Sequence, residues 1–260
     1  MLQVCLNGSR GPGDSAAVPM VPEAMAAAAA AAVAAGADEV HVHPKTPCGS
    51  DTLSPRVLAD TLTAIRAAVA VPVGVTTGAW AEPDPVRRLA RVRSWTVLPD
   101  HACVNWHEPG ADALAAALLD RGVAVAAGIG SGTDGPARFL RSSLAPRVLR
   151  ILAEVTDPSP ATAEATARTL LAVLNRSPHA RPVLLHGTDA AAWPVLRLAR
   201  RLGLAGRIGL EDTLFLPDGR PAADNAQLVT AALAERTHGT HGTHADGPAR
   251  PQESADSVPA

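Results

Sequence analysis

The chain has 260 residues, 47% of them hydrophobic, and a formal net charge of −2, enough apolar content for one large core. That charge excludes a polyanion-coating protein. Four Trp, two Phe and no Tyr leave few stacking platforms, so no nucleic-acid partner is expected. Cys5, Cys48 and Cys103 lack CxxC spacing, which excludes a disulfide framework or thiolate zinc knuckle and fits a reducing, cytoplasmic location.

Residues 2–7 read as a short apolar strand, followed at once by Gly8, Arg10, Gly11 and Pro12, a pattern unlike a signal peptide. An alanine-rich run at 24–35 follows Pro22 and Glu23 and stops before Gly36. It falls short of the roughly 20 residues a membrane span needs and reads instead as a helix of high intrinsic propensity. From there, β-like runs at 39–43, 72–77, 102–106, 123–128, 149–155, 182–186 and 207–212 alternate with helical stretches. Those stretches lie near 22–35, 54–70, 83–94, 109–121, 135–142, 159–175, 188–203 and 221–236, several opened by a capping residue such as Ser54, Asp84 or Thr188. The fifth unit is the least regular, because Gly128-Ile129-Gly130-Ser131-Gly132 reads as loop. Eight β-then-α units predict a single-domain (β/α)8 TIM barrel over residues 1–236. The competing open doubly wound sheet most often carries a GxGxxG turn after its first strand, and none is found there. Beyond it, Thr-His-Gly repeats carrying His238, His241 and His244 lead into a polar tail, 237–260, expected to be disordered and solvated.

In such a barrel the active site gathers at the C-terminal ends of the strands. Those ends supply Asn7, His41, His43, Thr76, Thr77, Asn105, Glu154, His186, Glu211 and Asp212, whereas few strand starts are polar, Arg207 apart. In a strand, His41 and His43 share one face, and Arg207, Gly209 and Glu211 share another, with Asp212 opening the next loop. Strands two and eight flank strand one in a closed barrel, so two imidazoles and a carboxylate can converge. That set suits catalytic zinc or another divalent metal, which keeps a position open for water or substrate. The plainer alternatives are a satisfied core histidine at each position and an ordinary Arg207–Asp212 salt bridge. Thr76, Thr77 and Asn105 are candidate substrate contacts. His101 and His107 flank strand four, where either a substrate or a surface role is open, and Trp80, Trp95, Trp106 and Trp193 read as packing residues.

The run 35–43 (Ala-Gly-Ala-Asp-Glu-Val-His-Val-His), Thr76-Thr77-Gly78, and 207–212 (Arg-Ile-Gly-Leu-Glu-Asp) with 224–229 downstream resemble the β-keto acid cleavage enzymes. This family includes the 3-keto-5-aminohexanoate cleavage enzyme of lysine fermentation, and the resemblance runs from Leu2 to about Ala234. It implies a homo-oligomeric (β/α)8 barrel that holds zinc through His41, His43 and Glu211. Asp212 would be the general base, Arg207 its supporting cation, and Thr76 would stand where the family usually has a substrate-contacting serine. The implied reaction is a retro-Claisen acyl transfer, in which a β-keto acid and acetyl-CoA give acetoacetate and a new acyl-CoA. The chemistry is coherent, since breaking a carbon–carbon bond beside a ketone develops negative charge that a divalent cation and a nearby arginine can stabilise.

Three departures from the family pattern bear on the substrate. Asn7-Gly8-Ser9-Arg10 has Arg10 where an Asn-Gly-x-Glu setting is usual, Pro44-Lys45-Thr46 replaces Val-Arg-Asp, and Ala126 replaces an acid that can read an ammonium. Arg10 and Lys45 suit a second carboxylate, which predicts neutral or acidic β-keto acids over an aminated one. The chain is also shorter than typical members, so the loops that hold coenzyme A are expected to be reduced, and no residue is assigned to that cofactor. Two alternatives stand beside this reading: a metal-dependent lyase or aldolase without coenzyme A, and a catalytically silent barrel kept for binding.

Overall fold

A computed structural model describes residues 1–235; the His238, His241 and His244 tract and the rest of the expected tail lie outside the described residues. Eight short, buried strands alternate with eight helices. The strands are β1 (Leu2–Cys5), β2 (Glu39–Val42), β3 (Val73–Thr76), β4 (His101–Asn105), β5 (Ala124–Gly130), β6 (Arg150–Val155), β7 (Val183–Gly187) and β8 (Ala205–Ile208). Each pairs in parallel with the next, and β8 returns to β1, closing the barrel. The helices are α1 (Pro22–Ala34), α2 (Pro55–Ala68), α3 (Pro85–Arg93), α4 (Ala111–Asp120), α5 (Gly135–Arg141), α6 (Ala163–Leu174), α7 (Ala192–Arg201) and α8 (Asn225–Ala234). The expected (β/α)8 barrel is the observed fold. Among the described residues no helix is long and apolar enough to cross a membrane.

Alternation along the strands divides two environments. Val4, Val40, Val75, Ala102, Val104, Val125, Ala127, Ile151, Ala153, Leu185 and Ile208 join the apolar core, which the helices complete. The residues between them face the barrel interior, and at its N-terminal end these are polar: Gln3, Glu39, His101 and Arg150 are all buried. Glu39 accepts from Gln3 Nε2 at 2.5 Å and from Arg150 Nη1 at 2.9 Å, also meets Arg150 Nη2, and lies 3.0 Å from His101 Nε2. Gly74 makes room for this layer, since a Cβ there would lie 1.9 Å from His101 Nε2. Burial works against the Glu39 carboxylate, but His101 and Arg150 outweigh it and hold its pKa at about 2. This corrects the expectation that strand starts carry little polarity. Four polar groups can be buried there because they pair with one another, Arg150 Nε alone of that guanidinium having no hydrogen-bond partner. His101 thus lies in the layer at the start of β4, away from the mouth, while His107 follows the strand and its carbonyl accepts from Arg138 at 2.7 Å.

Boundaries differ at informative places. β5 continues through Gly128-Ile129-Gly130, and Gly128 makes room for the neighbouring strand: a Cβ there would lie 2.3 Å from Asn105 Oδ1. β8 ends at Ile208, and residues 209–212 form a turn closed by Asp212 N donating to Gly209 O at 2.9 Å. A short 3-10 turn, Asp189–Ala191, precedes α7. Asp84 caps α3 by accepting from the Val86 and Arg87 amides, whereas Ser54 and Thr188 make no side-chain cap. Trp95, Trp106 and Trp193 are packing residues, but Trp80 is 50% exposed, correcting its assignment to packing.

Candidate active site

Because β1 pairs with both β2 and β8, the side chains leaving those two strands meet above it. His41 lies on β2, His43 one residue past its end, and both turn inward, with ring centroids 5.2 Å apart. Glu211 arrives from the turn after β8. Its Oε1 lies 3.4 Å from His43 Nε2 and its Oε2 lies 3.9 Å from His41 Nε2. One ligand atom from each of the three falls within 4.8 Å of the others.

The backbone around this trio is tightly fixed. Asn7 donates to His43 O at 2.9 Å and accepts from His43 N at 2.9 Å, clamping that residue from the segment just after β1. Gly8 adopts φ +55° and leaves the space that Glu211 fills; a Cβ there would lie 2.3 Å from Glu211 Cγ. Gly209 lets the last turn press onto β1, since its Cβ would lie 2.0 Å from Cys5 O. Asn225, the first residue of α8, accepts from Leu210 N at 2.9 Å and donates to Leu6 O at 3.0 Å, tying the same turn to β1.

The electrostatics suit a cation. Burial drives His41 well below its ordinary pKa and keeps it neutral, as a ligand must be. Burial also opposes charge on His43, but Glu211 and Asp51 overcome it and raise the pKa. Burial would raise Glu211 too, yet Arg207 first, then His43 and His41, hold it well below the carboxylate range. Glu211 Oε2 is buried without a hydrogen-bond partner. Two imidazoles, a carboxylate and an unsatisfied buried oxygen fit a divalent metal. Asp51 stands 3.6 Å from His43 Nδ1, in the place of a carboxylate that orients a ligand histidine.

Arg207 rises from β8 into the interior and is buried. It donates to Glu211 Oε1 at 2.6 Å and to Asp212 Oδ1 and Oδ2 at 3.0 and 3.3 Å. Asp212 is fully buried and lies 3.2 Å from His186 Nδ1, whose Nε2 has no partner. The two residues expected at the catalytic centre are therefore in direct contact beside the trio.

The five expected substrate contacts are placed less uniformly. Thr76 Oγ1 accepts from Gly78 N at 3.1 Å, and Thr77 Oγ1 donates to Cys103 O at 2.6 Å, so both hydroxyls shape the loop after β3. Asn105 donates to Glu108 at 3.0 Å. Lys45 is buried, donating to Gly8 O at 2.5 Å and pairing with Asp51 at 2.6 Å; it fastens the first two loops together. Arg10 donates to Glu211 O at 3.1 Å and pairs with Asp189 at 2.5 Å, remaining at the rim of the trio. Asp189 is the one described non-glycine residue with positive φ (+50°), and its amide donates to Asp212 O at 2.6 Å. Asp51, Glu108 and Asp189 escaped sequence reasoning, since an acidic residue inside a loop carries no periodicity to mark its partner.

Fold and site together define a (β/α)8 barrel with a two-histidine, one-carboxylate cluster at its C-terminal mouth. The model of the β-keto acid cleavage enzyme family matches residues 1–121 and 138–245, and the chain belongs to that family. No curated protein matches it by sequence. Among solved structures it is similar to ObcA in binary complex with oxaloacetate, with 16% identity and a TM-score of 0.68, covering 86% of this chain and 64% of that one. The ternary complex of ObcA with a C4-CoA adduct and oxalate matches with the same values. The homocysteine methyltransferase MmuM from Escherichia coli shares the barrel more distantly, at 16% identity and a TM-score of 0.54, covering 91% of this chain and 95% of that one. The chain thus spans a little under two thirds of the ObcA chains.

Proposed function

We propose that this chain is a zinc-dependent acyltransferase that cleaves a β-keto acid with acetyl-CoA, giving acetoacetate and a new acyl-CoA. The observation that carries the reading is the convergence of His41, His43 and Glu211 at the barrel mouth, with Arg207 and Asp212 in contact beside them. His41, His43 and Glu211 would hold the ion, which supplies a Lewis acid for the keto oxygen. Asp212 takes the α-proton of the keto acid, and Arg207 stabilises both the carboxylate and the negative charge that develops on the substrate. The burial of both residues strengthens that electrostatic contribution.

Family membership and the oxaloacetate and C4-CoA adduct held by ObcA support a keto acid and a CoA thioester as the reacting pair. Arg10 offers a cation at the rim for a second carboxylate, exchanging it for Asp189. Lys45 is buried with the buried Asp51 carboxylate and holds the Gly8 turn, whereas Arg10 is partly exposed and paired with an exposed Asp189, which favours Arg10 as the selector. Neutral or acidic β-keto acids then react better than an aminated one, in a soluble homo-oligomer. The test is a panel of β-keto acids incubated with acetyl-CoA and followed by mass spectrometry. New acyl-CoA species support the reading. Consumption of keto acid with no change in acetyl-CoA would instead establish a lyase.

A further inference from the structure

Trp80 lies in the loop after β3, and its indole stacks on the imidazole of His43, with centroids 5.8 Å apart and planes 12° from parallel. The local structure is built around that position. Gly78 gives up its side chain to it, since a Cβ there would lie 2.3 Å from atoms of the indole. The neighbouring Ala79 amide donates to Glu108 at 3.0 Å, and Glu108 is itself held by Asn105 and Arg88, each at 3.0 Å. A 3.0 Å bond from Ala81 N to Gly78 O closes the turn. Even so, half of Trp80 is exposed, while the other three tryptophans are at most 7% exposed. Leaving so large an apolar surface in water costs free energy, yet a glycine and a buried carboxylate keep it there.

The barrel order gives the ring a direction. His43 follows β2 and Trp80 follows β3, whereas Arg10 follows β1 and Glu211 follows β8. Although Arg10 leaves β1, between the strands that carry the trio, its guanidinium reaches Glu211 O and Asp189, which follow β8 and β7, so the trio has an aromatic face on its β3 side and a guanidinium on its β7–β8 side. We infer that Trp80 is the specificity-determining wall of the site, taking the apolar carbon chain beyond the keto carbon of a β-keto acid. This rests on the keto-acid reading above and adds which part of the substrate is selected.

The test uses the full-length, zinc-loaded chain and two probes, acetoacetate and 3-oxohexanoate, which differ by two methylenes. Calorimetry should show that Trp80→Ala weakens 3-oxohexanoate binding about tenfold and changes acetoacetate binding less than twofold. Trp80→Phe, which keeps an aromatic face, should retain most of the preference. Tryptophan emission should change when 3-oxohexanoate binds the wild type and stay constant in Trp80→Phe. If the wild type binds 3-oxohexanoate while Trp80→Ala binds it equally well and emission is unmoved, the inference is overturned and the keto-acid reading stands. If the loaded wild type binds neither probe, the keto-acid reading fails and the inference falls with it.

Discussion

Asp212 occupies a position in which a single change of functional group is informative. It is fully buried between Arg207 and His186, so Asp212→Asn keeps the shape and much of the hydrogen bonding but removes the charge. Turnover should fall on the order of 10²–10⁴-fold with bound zinc unchanged, measured by steady-state kinetics alongside elemental analysis. The metal content itself tests the trio. With His238, His241 and His244 replaced by alanine to remove adventitious binding, His41→Ala and Glu211→Gln should each lose stoichiometric zinc, while the parent keeps it. Acid should act on the same site, because His43 must be unprotonated to bind metal and its pKa is raised above the ordinary 6.5 by Glu211 and Asp51 against the opposing effect of burial. Zinc affinity should therefore decline steadily from pH 8 to pH 6, as read by competition with a chelator.

Between strand and loop, glycine placement sets the geometry together with the Asn7 and Asn225 hydrogen bonds. Gly8→Ala would put a methyl group into Glu211 at a positive φ, so the carboxylate must move while the barrel, closed by its ladders, persists. Its expected result is a near-native circular dichroism spectrum with zinc affinity lowered at least tenfold. The eight-unit plan was legible in the sequence because alternating β and helical patterns repeat, and His41-x-His43 was legible because period two puts both rings on one face. The strand expected at 207–212 was less so. Arg207 and Glu211 do meet, but across a turn after Ile208, where the Gly209 approach to Cys5 O replaces strand pairing. The strand expected at 123–128 is present, but its last two residues were hidden because Gly128-Ile129-Gly130 resembles a loop until Asn105 is seen filling the space at Gly128. Asp189 depends on contacts with Arg10 and Asp212, far away in sequence, and Asp51 on an irregular loop that folds back onto His43 and Lys45, and neither follows a periodic pattern.

Taken as a whole, the barrel has two polar ends of different character: a charge-compensated layer at the bottom and a cation-seeking cluster at the top. Glu39 is ionised in the folded chain down to a pKa of about 2, against 4.5 for an unperturbed glutamate. A depressed carboxylate pKa stabilises the fold above the unfolded value and ceases to do so as pH falls through the folded one. That contribution, about 3 kcal/mol, should disappear between roughly pH 4.5 and 2, and Glu39→Gln should show both lower stability at pH 7 and a flatter acid limb in urea titrations. At the other end, the ligands come from residues 41, 43 and 211, so a bound ion is a bond between an early strand and the segment that closes the ring. Such an ion would work as a removable clasp across β1, joining β2 to the turn after β8. Loading it at about 100 times its dissociation constant adds about 2.7 kcal/mol to the folded state, and slower amide exchange should concentrate at Leu210 and the start of α8, where the two ends of the chain are fastened.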